Sequence, residues 1–151
     1  MRQLINIDVP ELDAALAFYT RAFGLHVGRR LGADVVELLG GNAPVYLLRK
    51  PEGSPAAGEE TRRYARHWSP VHLDVVVDDL DAALASALAA GARQEGAIRA
   101  ANWGRIVAIA DPFGHGWCLL QFLGRGYDEI AGPAAGSPAG SPAGSPAGSA
   151  A

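Results

Sequence analysis

The sequence carries almost no sulfur and no surplus of positive charge. Of 151 residues, one is cysteine, Cys118, and one is methionine. A lone thiol excludes an intramolecular disulfide and any zinc site built from several cysteines. Lys and Arg number 13 against 16 Asp and Glu, a formal net charge of -3. With no basic stripe, nucleic acid and anionic membrane surfaces are not expected partners. No apolar run approaches the ~18 residues of a membrane span. The stretch from Met1 to Ile5 lacks the apolar core and small-residue cleavage site of a secretory signal, so the cytoplasm is the expected compartment.

What is present divides the chain into parts. Residues 131–151 repeat Gly-Ser-Pro-Ala without a charge, an aromatic or a branched apolar residue. Such a segment has nothing to bury against its ordering entropy and is expected to be a disordered tail. Residues 1–125 read as one domain, long enough to bury about two-thirds of its unfolded surface.

Within that domain a unit recurs. Leu12-Asp13-Ala14-Ala15-Leu16 reappears as Leu80-Asp81-Ala82-Ala83-Leu84, and each copy follows an alternating run. Ile5, Ile7 and Val9 share one strand face, with Leu4, Asn6 and Asp8 on the other. Leu73, Val75 and Val77 match the first set, and His72, Asp74 and Val76 the second. Helical spacing then places Leu12, Ala15, Leu16, Tyr19 and Phe23 on one face, ended by Gly24. In the second copy Leu80, Ala83, Leu84, Ala87 and Leu88 do the same, ended by Gly91.

Three shorter strands are predicted in each unit: Leu25 to Leu31, Ala33 to Leu39 and Ala43 to Arg49, then Ala92 to Arg99, Gly104 to Ala110 and Gly116 to Phe122. Gly40-Gly41-Asn42 and Asp111-Pro112-Phe113-Gly114 supply turns. The first module spans about residues 3–50 and the second about 70–123. The Pro-, Gly- and charge-rich residues 51–69 read as a connecting loop, and within it Glu59 to Trp68, mixing charge with aromatics, read as a solvated linker or a lid. The fold class is α+β, two tandem βαβββ modules.

Three stretches carry a family resemblance. They are Asp8-Val9-Pro10-Glu11-Leu12 running on to Phe23-Gly24-Leu25, Val71-His72-Leu73-Asp74-Val75, and Ala110-Asp111-Pro112-Phe113-Gly114-His115-Gly116-Trp117. Together they resemble the vicinal-oxygen-chelate superfamily of glyoxalases, extradiol dioxygenases and bleomycin-resistance proteins. The resemblance implies curved mixed sheets around a pseudo-symmetric cavity and a homodimer. It also implies, in the enzymes, a divalent metal held by His or Glu on the first and last strands of each module.

Carried over to this chain, those four positions hold Leu4, Tyr46, His72 and Cys118. Leucine cannot ligate and tyrosine seldom does, so no metal or other cofactor is expected. A rearranged zinc site from His72, Asp74 and Cys118 is the alternative. Cys118 as a nucleophile would need its pKa lowered, for instance by His72. The expected ligand cavity comprises Leu4, Asn6, Asp8, Tyr46, His72, Asp74, Trp103 and Cys118, with Trp103, Trp117 and Tyr46 as an aromatic wall. Alternation leaves open which faces Glu37 and Arg105 take. His115, in the hairpin turn, is expected in solvent, and His26 and His67 on the surface.

Three functions compete: a metal-independent binder of a small organic molecule, a metal-dependent lyase, isomerase or dioxygenase, and a structural or regulatory partner protein with an empty cavity.

Overall fold

The computed structural model describes residues 2–132. Most of the predicted tail, from residue 133 onward, lies outside the described residues. The chain runs β1 (Ile5–Val9), α1 (Leu12–Phe23), β2 (His26–Arg30), β3 (Val35–Leu39), β4 (Val45–Arg49), β5 (Leu73–Val76), α2 (Leu80–Ala89), β6 (Arg93–Ala101), β7 (Gly104–Ala110) and β8 (Gly116–Phe122). A short 3-10 turn, Gly126–Glu129, follows.

Each helix forms where its apolar spacing requires. In α1, Leu12, Ala15, Leu16 and Tyr19 are buried, and Gly24 takes the left-handed conformation (φ 65°) that stops the helix. In α2, Asp79 caps the start by accepting from the Ala82 N–H, and Leu80, Leu84 and Ala87 are buried. Leu88 departs from expectation and is 41% exposed. Eight residues beyond Leu80, it is rotated about 80° off the buried stripe.

The strands form two four-stranded mixed sheets, ordered β1-β4-β3-β2 and β5-β8-β7-β6. The first strand of each module pairs in parallel with its last, and the other neighbours are antiparallel. The registers correspond: Asn6 faces Tyr46 across β1 and β4, and Asp74 faces Cys118 across β5 and β8. One face of each sheet meets the helices. Val9, Val36, Leu38 and Leu47 in the first sheet, and Val107, Ile109 and Leu119 in the second, are essentially inaccessible. Each contributes about 1.5–3 kcal/mol by leaving water.

A single core joins the modules. Helix α1 reaches past its own sheet, so that Phe23 lies 4.9 Å from Trp117 and Tyr19 5.7 Å from it, ring centre to ring centre. Phe18 also meets Phe113 edge-on at 6.2 Å.

Candidate functional site

In the first module the non-helix strand face carries a closed polar group. Glu37 on β3 is buried and lies opposite Tyr46 on β4. Arg29 on β2 grips the Glu37 carboxylate with Nε and Nη2 at 2.7 and 2.6 Å, and the Tyr46 hydroxyl donates to the same carboxylate at 2.7 Å. Arg29 foremost, then Tyr46, hold the Glu37 carboxyl down to about 2, against the cost of burial. The same carboxylate raises the Tyr46 phenol above its ordinary value. Gly28 is what lets these strands close, since a Cβ there would sit 2.8 Å from Glu37 Oε2. Glu37 therefore joins the face of Asn6 and Tyr46, the question strand alternation left open.

The corresponding face of the second module brings His72, Asp74 and Cys118 together. Their ligating atoms all lie within 4.8 Å of one another, and His72 Nε2 is 3.5 Å from Asp74 Oδ1. Burial first, and the Asp74 carboxylate second, push the Cys118 thiol up. The neighbours of Cys118 thus favour the protonated thiol, the opposite of the lowered pKa that a nucleophile would need.

Between the two modules, residues of β1 and β5 border a cavity of about 460 Å³. Asn6, Asp8 and His72 from the predicted set line it, together with Trp68, whose ring is 5.5 Å from that of His72. Asp74 lines a second hollow of about 730 Å³, along the β5 edge beside Ile5 and Val76.

The segment joining the modules forms part of the wall and is pinned in place. Arg62 Nε donates to Asp8 at 2.6 Å, Arg66 clasps Glu95 at 2.8 Å, and the Tyr64 hydroxyl donates to the Lys50 carbonyl. Gly116 leaves room for the strap, because a Cβ there would lie 2.7 Å from the Arg66 guanidinium. Within residues 62–68, Arg62, Tyr64 and Arg66 turn inward to these partners, while Arg63, Ala65, His67 and Trp68 stay exposed. Alternating charge and aromatics read as solvent exposure because the partners, Asp8 and Glu95, are remote in sequence.

Several predicted residues stand elsewhere. Leu4 precedes β1 and is 55% exposed. Trp103 sits at the β6–β7 turn against Tyr127, ring centres 5.2 Å apart, and not with His72. Arg105 turns to the helix side, where it holds Asp81 of α2 through two 2.9 Å bonds. Trp117 serves both readings: it is buried in the core, its Nε1 donating to Asp111 at 3.1 Å, and it also lines the 460 Å³ cavity. His115 is only partly exposed, and its Nδ1 lies 2.9 Å from Asp111 Oδ2.

That aspartate is the residue the sequence reading missed. Its buried carboxylate accepts from five donors: the Tyr19 hydroxyl, His115 Nδ1, Trp117 Nε1 and the backbone N–H groups of Phe113 and His115. Burial raises the Asp111 carboxyl, but the His115 and Tyr19 contacts more than offset this and leave it below its ordinary value. The reverse holds for Tyr19, whose phenol burial and then Asp111 drive well up.

The four inherited positions do not fit a divalent metal. Leu4 offers no donor, and the Tyr46 oxygen is engaged by Glu37 with the Arg29 guanidinium 3.3 Å away. A fixed cation beside that oxygen repels a second one. His72, Asp74 and Cys118 suit a soft ion such as zinc, once the thiol is deprotonated, and not Mg or Mn.

Residues 4–120 match the family model described as a glyoxalase-like domain. An uncharacterized protein of Mycobacterium bovis is 32% identical over 121 residues, covering 77% of this chain and 80% of its own. Among solved structures, lactoylglutathione lyase from Agrobacterium tumefaciens superposes with TM-score 0.56 at 25% identity, covering 80% of this chain and 92% of that one. The fosfomycin resistance protein FosX from Listeria monocytogenes superposes with TM-score 0.63 at 16% identity, covering 82% and 93%. With its repeated βαβββ units and the match along both modules, the chain belongs to the glyoxalase-like family of the vicinal-oxygen-chelate superfamily.

Proposed function

We propose that this chain binds a small organic molecule in the cavity between β1 and β5, without the metal centre of the family's enzymes. The observation that carries the reading is the Arg29–Glu37–Tyr46 group, which places a paired guanidinium at one inherited ligand position. Asn6, Asp8 and His72 in the cavity, with Asp74 on the adjoining β5 edge, supply polar anchors against apolar walls. Metal analysis by mass spectrometry tests it, on untagged protein incubated with Zn, Fe(II), Mn or Ni and then desalted. The expected content is well below one ion per chain. One tightly held ion per chain would overturn the reading.

The cluster of His72, Asp74 and Cys118 favours a second reading, a metal-dependent lyase, isomerase or dioxygenase. In that case the ion would polarise substrate oxygens. His72→Ala would then abolish both metal binding and turnover, and activity surviving that change would dispose of it.

The proposal extends to a cytoplasmic homodimer. Among the described residues no helix is long and apolar enough to cross a membrane. Leu39 and Val76 are exposed on the strand faces turned from the helices, and Leu4 is exposed just ahead of β1, a pattern that a second copy would cover. Sedimentation at micromolar concentration should give twice the 15.7 kDa chain mass. A single species at the chain mass would rule the dimer out.

A further inference from the structure

The β7–β8 hairpin holds a histidine–carboxylate pair that the binding role above leaves unused. The Asp111 side chain is wholly covered, and His115 Nδ1 lies against it at 2.9 Å. A carboxylate only accepts, so Nδ1 carries the proton and the lone pair of the neutral ring falls on Nε2. Among the described residues Nε2 has no hydrogen-bond partner, and no buried side-chain nitrogen lacks one, so Nε2 is accessible. His115 itself lines the 460 Å³ cavity.

The surroundings of the ring are defined on every side. Tyr19 from α1 and Trp117 from β8 donate to the same carboxylate. Tyr64 of the strap packs edge-on to the imidazole at 6.4 Å, and Arg66 lies over Gly116 while paired with Glu95. Asp8, His67 and His72 line the same cavity. Its apolar and aromatic surface comes from Ile7, Val71, Leu73, Trp117 and the 64% exposed Trp68.

We propose that His115 is the proton acceptor of this cavity, and that the ligand is a planar aromatic compound bearing an acidic hydroxyl, of the phenol class. The proposal rests on the reading of the cavity as a small-molecule site. On binding, the ligand O–H bond breaks, the proton joins Nε2 and the electron pair stays on oxygen. The resulting imidazolium lies between the phenolate and the Asp111 carboxylate, while the exposed ring of Trp68, itself backed by His72, packs against the ligand. Total charge is unchanged, and Asp111 acts as a positioning residue throughout.

The test uses the full chain with 4-nitrophenol, whose visible band reports the phenolate directly. At a pH one unit below the probe's own ionisation, added protein should produce a saturable gain of phenolate absorbance. His115→Gln should lose most of that gain while equilibrium dialysis still finds the probe bound. Long-range 15N spectra of the ring, which need no ligand, should show the Nδ1–H form for His115. An undiminished band in His115→Gln, probe bound without the band, or an Nε2–H ring would each overturn the proposal. Failure of the probe to bind would overturn the phenol class; a screen of other ligand classes then judges the cavity itself.

Discussion

Asp111→Ala should cost the fold about 3–5 kcal/mol, because it strips the shared acceptor from buried donors. Tyr19, Trp117 and the Phe113 and His115 backbone N–H groups all point at that carboxylate, and the first two sit in the core. Few small domains have more than 5–15 kcal/mol to lose. Chemical denaturation at neutral pH measures it, and a loss below about 1 kcal/mol would mean that water replaces the carboxylate. Acid should act in the same direction. The Asp111 carboxyl lies lower in the folded chain than its ordinary value, so on acidification the unfolded chain takes up this proton first. Its contribution is complete above the unfolded carboxyl value near ~3.9 and disappears as pH falls through the folded value. A denaturation series at acid pH should show a shallower decline in Asp111→Asn than in the parent.

Trp117→Ala should cost a similar amount, about 3–5 kcal/mol, for a different reason. The indole fills the space between Tyr19 and Phe23 where α1 crosses onto the second sheet. Removing it opens a cavity that the flanking rings, held by their own helix, cannot close. Trp117→Phe separates the contributions: it keeps most of the volume but withdraws one of the donors to Asp111. Its cost should stay near 1–2 kcal/mol, the range for a lost hydrogen bond and a slightly loosened core. Equal losses in the two variants would show that the N–H, not the ring, matters.

Much of the architecture was readable from the chain because its determinants are local. The recurrence of Leu12–Leu16 as Leu80–Leu84, with glycine stops and alternating strands, placed both helices, and the β7 and β8 ranges came out as observed. The same offset placed His72 and Asp74, and matching the last strands of the two units added Cys118 to their group. What local pattern could not supply was partnership across distance. Arg29 and Glu37 lie on different strands of a sheet whose β2–β3 register is irregular, so neither residue's face follows from counting. Arg105 looked equally able to face the ligand until Asp81 of α2 claimed it.

Asp111 is the instructive case. An Asp-Pro-Phe-Gly sequence reads as a turn, which it is. The weak signal for more was the spacing of His115 and Trp117, both donors, four and six residues on; Tyr19 contributes from 92 residues away. Trp103 failed in the opposite sense: its place at a strand entrance was right, but its partner is Tyr127, beyond the last strand.

The crossing of α1 onto the second sheet has a consequence for how such a duplicated chain can be divided. Although the two halves repeat one plan, neither holds a complete interior: Tyr19, Phe18 and Phe23 would be left bare without Phe113 and Trp117. Cut within the strap, near Gly58, the pieces should stay unstructured singly and regain the native spectrum only when mixed or co-expressed. A lineage that inherits such halves can exchange them only as matched pairs.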